Sequence, residues 1–485
     1  MDERFVSESS PRWKFIKSAL NDIDDQLKKL GSRLHVLSGQ PSEELPRIFA
    51  EWHVVRLGFS SHPGCGEMRL RDRAIVSLAL RHGVEVVYRE APHCLFTPRA
   101  VIKAAGGMPP LTFKRYLGTI SSLTLPTVPI PVPESDIVMT SVSDDHDEIP
   151  CNEILLKKDD DEFPWHGGET EARTRFHQAL KQWKESKNKS PDLRQITPYI
   201  IQGCMSIRQV YHDLNRTYNE IHGSKADLKL HMAALHRDFL YCLSSVPVTE
   251  ELKLEIPFDK NEKLTKAWLT GQTGYPWVDA VVRQMRTEGW VAPLLRQSAL
   301  WFLTRGVLWQ APEIGIEFLS EHCLFDLPLA RGFTNWAAGI GAWVESEVPH
   351  KCPKVDPNYI RKWVPEVREL PDEQIAEPWT GKMPSDYAPQ ILPHRQSHRQ
   401  AQAKYSDSLK WSSNKLLSRL DQLGRNGKRV QPIVLEPSPW EMVQPCPTTF
   451  LNHAVTGLTG DITQQTFVQY IQKSQQVNFE MLQNC

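Results

Sequence analysis

The chain has no close pair of cysteines. Its nine stand far apart, at positions 65, 94, 151, 204, 242, 323, 352, 446 and 485. That scatter excludes a disulfide framework and any metal site of Cys-x-x-Cys spacing. An odd, dispersed set reads as the reduced thiols of a cytosolic or nuclear protein. Net charge is also lacking: 57 Lys and Arg against 58 Asp and Glu give a formal −1. Overall charge therefore does not select nucleic acid or an anionic surface as partner, and any such surface has to be a local patch. No apolar run is long enough to span a bilayer, and the opening MDERFVSESSPRW is too polar for a signal peptide. Neither GxGxxG nor a P-loop occurs, which excludes those phosphate-binding loops. No internal repeat stands out. What the chain does have is tryptophan, with 15 in 485 residues.

Periodicity divides the chain. From Trp13 to Leu30, Phe15, Ile16, Leu20, Ile23, Leu27 and Leu30 recur at helical spacing, and Gly31 follows as a stop. RLHVLSG (33–39) reads as a short buried strand, SEELPRIFAEW (42–52) as a helix and VVRLGFS (54–60) as a second strand. Arg71 to His82 reads as a third helix and GVEVVYRE (83–90) as a third strand. Helices alternating with short β-branched strands predict an α/β domain with a parallel sheet over residues 1–125. Residues 126–162 change character, with PTVPIPVPESD and the acidic SDDHDE and KKDDDE, and read as a linker. Helical periodicity dominates residues 163–436, predicting a larger all-α domain. Residues 437–485 form a tail, in which DITQQTFVQYIQKSQQVNFEML fits an amphipathic docking helix or a weakly ordered terminus equally.

Two arginines stand out in the helical part. Arg296 shares a stripe with Leu300, Leu303 and Val307 on a helix that is apolar nearly all round, so it is expected to be buried. Arg237 sits in HMAALHRDFLYCL between Ala233 and Tyr241. A buried guanidinium needs an anionic partner. A structural salt bridge satisfies that need, and so does an anionic aromatic cofactor. Asp326, just before Pro328, is a candidate buried carboxylate.

The order of motifs goes further. Residues 4–52 are followed by GGMPPLTFKRY (106–116), FPWHGGETEA (163–172), TPYIIQGCMS (197–206) and HRDFLY (236–241). TGQTGYPWVDA (270–280), EGW (288–290), FLTRG (302–306) and DPNYIRKWVP (356–365) complete the series. Together they resemble the photolyase/cryptochrome family, animal cryptochrome type, over most of residues 4–425. The resemblance implies an α/β domain followed by a helical domain that holds FAD. It places Arg237, Trp290 and Arg296 at flavin-site positions, and Asp326, Leu327 and Pro328 beside the isoalloxazine ring, with Asp326 as the partner of Arg296. Ser190 corresponds loosely to a phosphate-binding serine loop.

The departures from the family shape the functional expectation. The family's Phe-Arg-x-x-Leu-Arg-x-x-Asp-Asn opening strand and its second strand have no counterpart. The sheet is therefore expected to be incomplete, from an alternative or incomplete translation product rather than one completed by a partner, and an antenna chromophore is not expected. Where repair enzymes carry a lesion-stacking tryptophan, this chain has His236, and Ala233 stands three positions earlier. The histidine pair of the (6-4) enzymes falls at Ala292 and Pro293, neither of which is an acid. Pro293 either breaks a helix or starts one. Along the family's electron-transfer chain, Trp336 matches the position nearest the flavin. The middle position falls near Ala311 with Trp309 as substitute, and the surface position is Phe258, with Trp268 as a stand-in. The residue facing flavin N5 falls near Gly332. The resemblance thus implies a non-catalytic flavoprotein, with no metal, that partners clock or light-signalling proteins in nucleus and cytoplasm. It implies circadian transcriptional control or a blue-light response, with weak or no DNA contact. The alternatives are a DNA photolyase and a truncated product that has lost flavin.

Overall fold

The computed structural model describes residues 11–37, 39–61, 66–90, 93–107, 109–110, 112–129, 163–186, 191, 193–244, 256–325, 328–330, 332, 355–381 and 383–408. The tail 437–485 and most of the linker lie outside them, as do Ser190, Asp326, Leu327 and Trp336.

The N-terminal part begins with α1 (Pro11–Lys29) and α2 (Pro41–Glu51). Strand β1 (Arg56–Ser61), α3 (Gly66–Arg81) and β2 (Glu85–Glu90) follow. The two strands pair in parallel, from Arg56 opposite Glu85 to Ser61 opposite Glu90, with α3 as the crossover. Alternation along the strands turns Val84 and Val86 inward onto Phe49 of α2 and Val76 and Ala79 of α3, forming a small separate core. On the outer face Arg56 pairs with Glu85 at 2.7 Å, both exposed. The expected strand over 33–39 does not form. Residues 33–37 run without a ladder and are only partly buried. Their apolar content suits a strand, but strand structure needs a neighbour to receive its hydrogen bonds, and none pairs there among the described residues.

The larger core gathers most of the other buried apolar residues, including parts that precede the linker. Phe15 of α1, Leu95, Val101 of α4 (Pro98–Ala104) and Tyr116 of α5 (Phe113–Ile120) all belong to it. Helix α1 packs on α6 (Glu169–Ser186), and the contact is close: a Cβ at Gly167 would meet the Phe15 carbonyl oxygen at 2.1 Å. The core continues through α7 (Thr197–Ile201), α8 (Ile207–His222), α9 (Met232–Ser244) and α10 (Glu262–Leu269). It is completed by α11 (Pro276–Glu288), α12 (Pro293–Trp301), α13 (Pro312–His322), α14 (Pro357–Trp363) and α15 (Asp372–Ile375). A further helix spans 394–408.

The segment TGQTGYPWVDA earns its place in the core through Asp279. Its fully buried carboxylate accepts the Thr273 N–H at 2.8 Å, the Thr273 hydroxyl at 2.7 Å, the Gly274 N–H at 3.2 Å and the Tyr387 hydroxyl at 2.5 Å. The loop before α11 is thus folded back onto the helix it precedes.

Candidate flavin site

The site is built at the corner between α11 and α12. Helix α11 ends at Gly289, whose φ of 69° suits glycine and whose Cβ, if present, would lie 2.7 Å from Pro11. The Gly289 carbonyl then accepts the Leu324 N–H at 2.9 Å. That backbone bond sets the two following aromatics side by side: Trp290 and Phe325 stack with centroids 5.7 Å apart and planes 17° apart. Pro293 begins α12 at its first helical position, with Ala292 as N-cap, so the harmless of the two proline readings holds.

Arg296 enters one turn later and is buried, as its stripe predicts. Its guanidinium lies 4.2 Å from the Phe325 centroid and 5.4 Å from that of Trp290. Burial pulls its pKa from 12.5 down to about 10, with the neighbouring Cys323 thiol acting the other way. The cation itself persists at any physiological pH. The same burial pushes Cys323 up to about 12. Trp165 stands edge-on to Trp290 at 6.4 Å, and the Arg175 guanidinium covers Trp165 at 5.3 Å. The aromatic ladder of Phe325, Trp290 and Trp165 is thus flanked by two cations, Arg296 and Arg175.

From α9, His236 reaches the same neighbourhood. Burial lowers its pKa to about 4, and the Arg296 charge adds to that effect. It meets Phe113 edge-on at 5.2 Å. Arg237, the next residue, turns elsewhere and donates to the His93 carbonyl at 2.5 Å. Its Nε is buried with no hydrogen-bond partner among the described residues. Beyond the ladder, Pro328 is buried in a helical turn. Gly332 touches α9 so closely that a Cβ would sit 2.5 Å from the Leu240 carbonyl oxygen. No side chain fits there.

The structure thus brings Trp290 and Arg296 together and adds Phe325, Trp165 and His236. Arg237 belongs to the adjoining seam. Trp309 donates its indole N–H to the Pro257 carbonyl at 2.9 Å, and its ring packs on Phe258 at 5.0 Å. Its φ of 53° is a strained value for so large a residue. Trp268 does not reach the surface. It is fully buried and donates to the Ala299 carbonyl at 3.1 Å, so it is a core residue. The sequence reading missed Phe325 and Trp165, although Trp165 lay within the FPWHGGETEA motif.

This donor set suits an anionic, aromatic cofactor. It offers a buried guanidinium on two ring faces and a second buried arginine with a nitrogen still to be satisfied. FAD, when bound, supplies blue-light absorption and one-electron redox chemistry.

Comparison with known proteins agrees. Residues 229–407 match the family model described as the FAD binding domain of DNA photolyase, and residues 1–134 match the DNA photolyase model. The chain is 35% identical to Cryptochrome-1 of Mus musculus over 410 residues, covering 76% of this chain and 66% of that protein. It is 35% identical to Cryptochrome-2 of Gallus gallus over 403 residues, covering 76% and 68%. Among solved structures, a Synechocystis cryptochrome superposes with a TM-score of 0.65 at 22% identity, over 81% of this chain and 88% of its own. A class III photolyase from Agrobacterium tumefaciens gives 0.66 at 20% identity, over 83% and 89%. These two share the fold.

Proposed function

Because the chain belongs to the photolyase/cryptochrome family and carries its FAD-binding domain, we propose that it acts as a cryptochrome-type flavoprotein that signals through partner proteins and does not repair DNA. The observation that carries this reading is the start of α12. Ala292 caps the helix and Pro293 opens it, at the two positions where (6-4) repair enzymes have histidines. Neither residue holds a proton to give. His236, where repair enzymes place a tryptophan, is kept neutral and edge-on to Phe113, so it serves neither as a general acid near neutral pH nor as a broad stacking wall.

The finer role we propose is circadian transcriptional control, in nucleus and cytoplasm, with clock proteins as partners. It rests on the similarity to animal cryptochromes. Within it, a light-insensitive form is favoured by Phe258, since phenylalanine is far harder to oxidise than tryptophan. In the flavin site, Arg296 would hold the cofactor's negative charge, while Trp290 and Phe325 keep water from it. Asp326, Leu327 and Ser190 remain part of this proposed site on the strength of the resemblance.

The test is light-dependent repair by the flavin-loaded protein of an oligonucleotide carrying a cyclobutane or a (6-4) dimer. The dimers are expected to persist. Their disappearance with illumination would establish the photolyase reading instead.

A further inference from the structure

Two consecutive residues of α9 fasten the segment that leads from the small parallel-sheet unit into α4. Arg237 donates to the His93 carbonyl at 2.5 Å. Asp238 accepts the Leu95 N–H at 2.8 Å and the Phe96 N–H at 3.1 Å through one carboxylate oxygen. These bonds bind the segment that leaves β2 and leads into α4. Asp238 is wholly buried. Its second oxygen has no hydrogen-bond partner among the described residues, and the Arg237 guanidinium lies 3.7 Å away, beyond hydrogen-bond reach. A buried carboxylate with one oxygen unbonded is poorly stabilised as an anion, but is well placed as an acid that still accepts through the other oxygen.

We propose that Asp238 is a protonation-sensitive latch, which holds residues 93–96 against α9 more firmly when neutral than when ionised.

The groups facing it are few. Arg237 and Cys242 share its helix, and Arg208 approaches from α8. Tyr116 approaches from α5, and its buried hydroxyl also lacks a hydrogen-bond partner among the described residues. Cys94 lies on the latched segment itself. Helix α4, which also packs on α9, carries Arg99 and the exposed Lys103. Burial holds the Tyr116 and Cys242 groups uncharged near neutrality. The two arginines and the Leu95 and Phe96 N–H bonds favour the anion, and burial outweighs them together, raising the Asp238 pKa from 3.8 to about 6. The sign follows. In the opened segment the carboxyl has its ordinary value, so the closed form binds the proton more tightly. The neutral-state gain is complete below 3.8 and is lost as pH rises through about 6.

Such a latch would let a modest pH change alter how firmly residues 93–96 are held against α9. Hydrogen exchange of the full-length protein reads it out directly. With intrinsic exchange corrected, protection of the Leu95 and Phe96 amides is expected to rise severalfold from about pH 7.5 to about pH 5.5. Asp238→Asn, which keeps an acceptor but no titration, should show a flat profile. A flat profile in the parent, or an equal rise in the variant, overturns the latch. Should the variant not fold, the Asp238 carboxyl carbon is titrated by NMR in the parent. A midpoint near 6 supports the proposal, and one near 4 overturns it.

Discussion

Arg296 is expensive to bury, and its surroundings show how the cost is met. Two ring faces at 4.2 and 5.4 Å replace part of the lost hydration, and cation–π contact with desolvated partners is worth about 2 kcal/mol or more. Arg296→Leu is therefore expected to weaken FAD retention by at least roughly tenfold, measured by equilibrium dialysis. Arg296→Lys should recover little of it, because an ammonium lacks the planar group that stacks. Retention unchanged in both would remove Arg296 from the site. The histidines speak to pH. His231 and His236 both fall from 6.5 to about 4 on burial. Their folded forms resist protons that the unfolded chain accepts, so stability is present above 6.5 and lost as pH falls toward 4. Urea unfolding across that range should show the decline, and His236→Asn should flatten part of it. An unchanged slope would mean that His236 is not the group responsible. Asp238 acts in the opposite sense, which makes the two contributions separable.

At the scale of elements, the corner joining α11 to α12 does most to place the site. Gly289→Ala would add a Cβ 2.7 Å from Pro11 at a φ of 69°. A loss of roughly 1–3 kcal/mol is expected, with Trp290 emission shifted as its stack on Phe325 loosens. A loss below a few tenths would show that the corner yields easily. Asp279 holds the other end of α11. Removing its carboxylate strands two backbone N–H groups and two hydroxyls, each costing about 1–3 kcal/mol when left buried and unpaired, so Asp279→Ala should lower stability in chemical unfolding by at least one such increment. Past α12 the chain widens into a π-turn over Phe302–Gly306 before reaching Trp309. Here Phe258→Trp places an oxidisable ring against Trp309, and faster light-driven flavin reduction is the expected result. No change would dissociate this pair from the electron path.

Across the whole molecule, local patterns were legible and long-range ones were not. Helical spacing marked α1 and α3, and the short runs VVRLGFS and GVEVVYRE marked β1 and β2. The segment 33–37 misled because local composition cannot reveal whether a neighbouring strand exists to pair with it. Arg296 was legible because a single charge broke an apolar stripe. Phe325 and Trp165 were not, since nothing local to either residue announces a ring packed against Trp290. The same limit hid Asp238, which meets Leu95 across 143 residues of sequence. The family motifs bridged part of that gap by carrying tertiary information that periodicity lacks.

The central claim is that the ladder and Arg296 form a working flavin site. Its most direct test is the near-ultraviolet and blue absorption of the purified protein after incubation with FAD and removal of the excess. A structured flavin spectrum at close to one cofactor per chain, lost in Arg296→Leu, is the expected result. A colourless protein would contradict it.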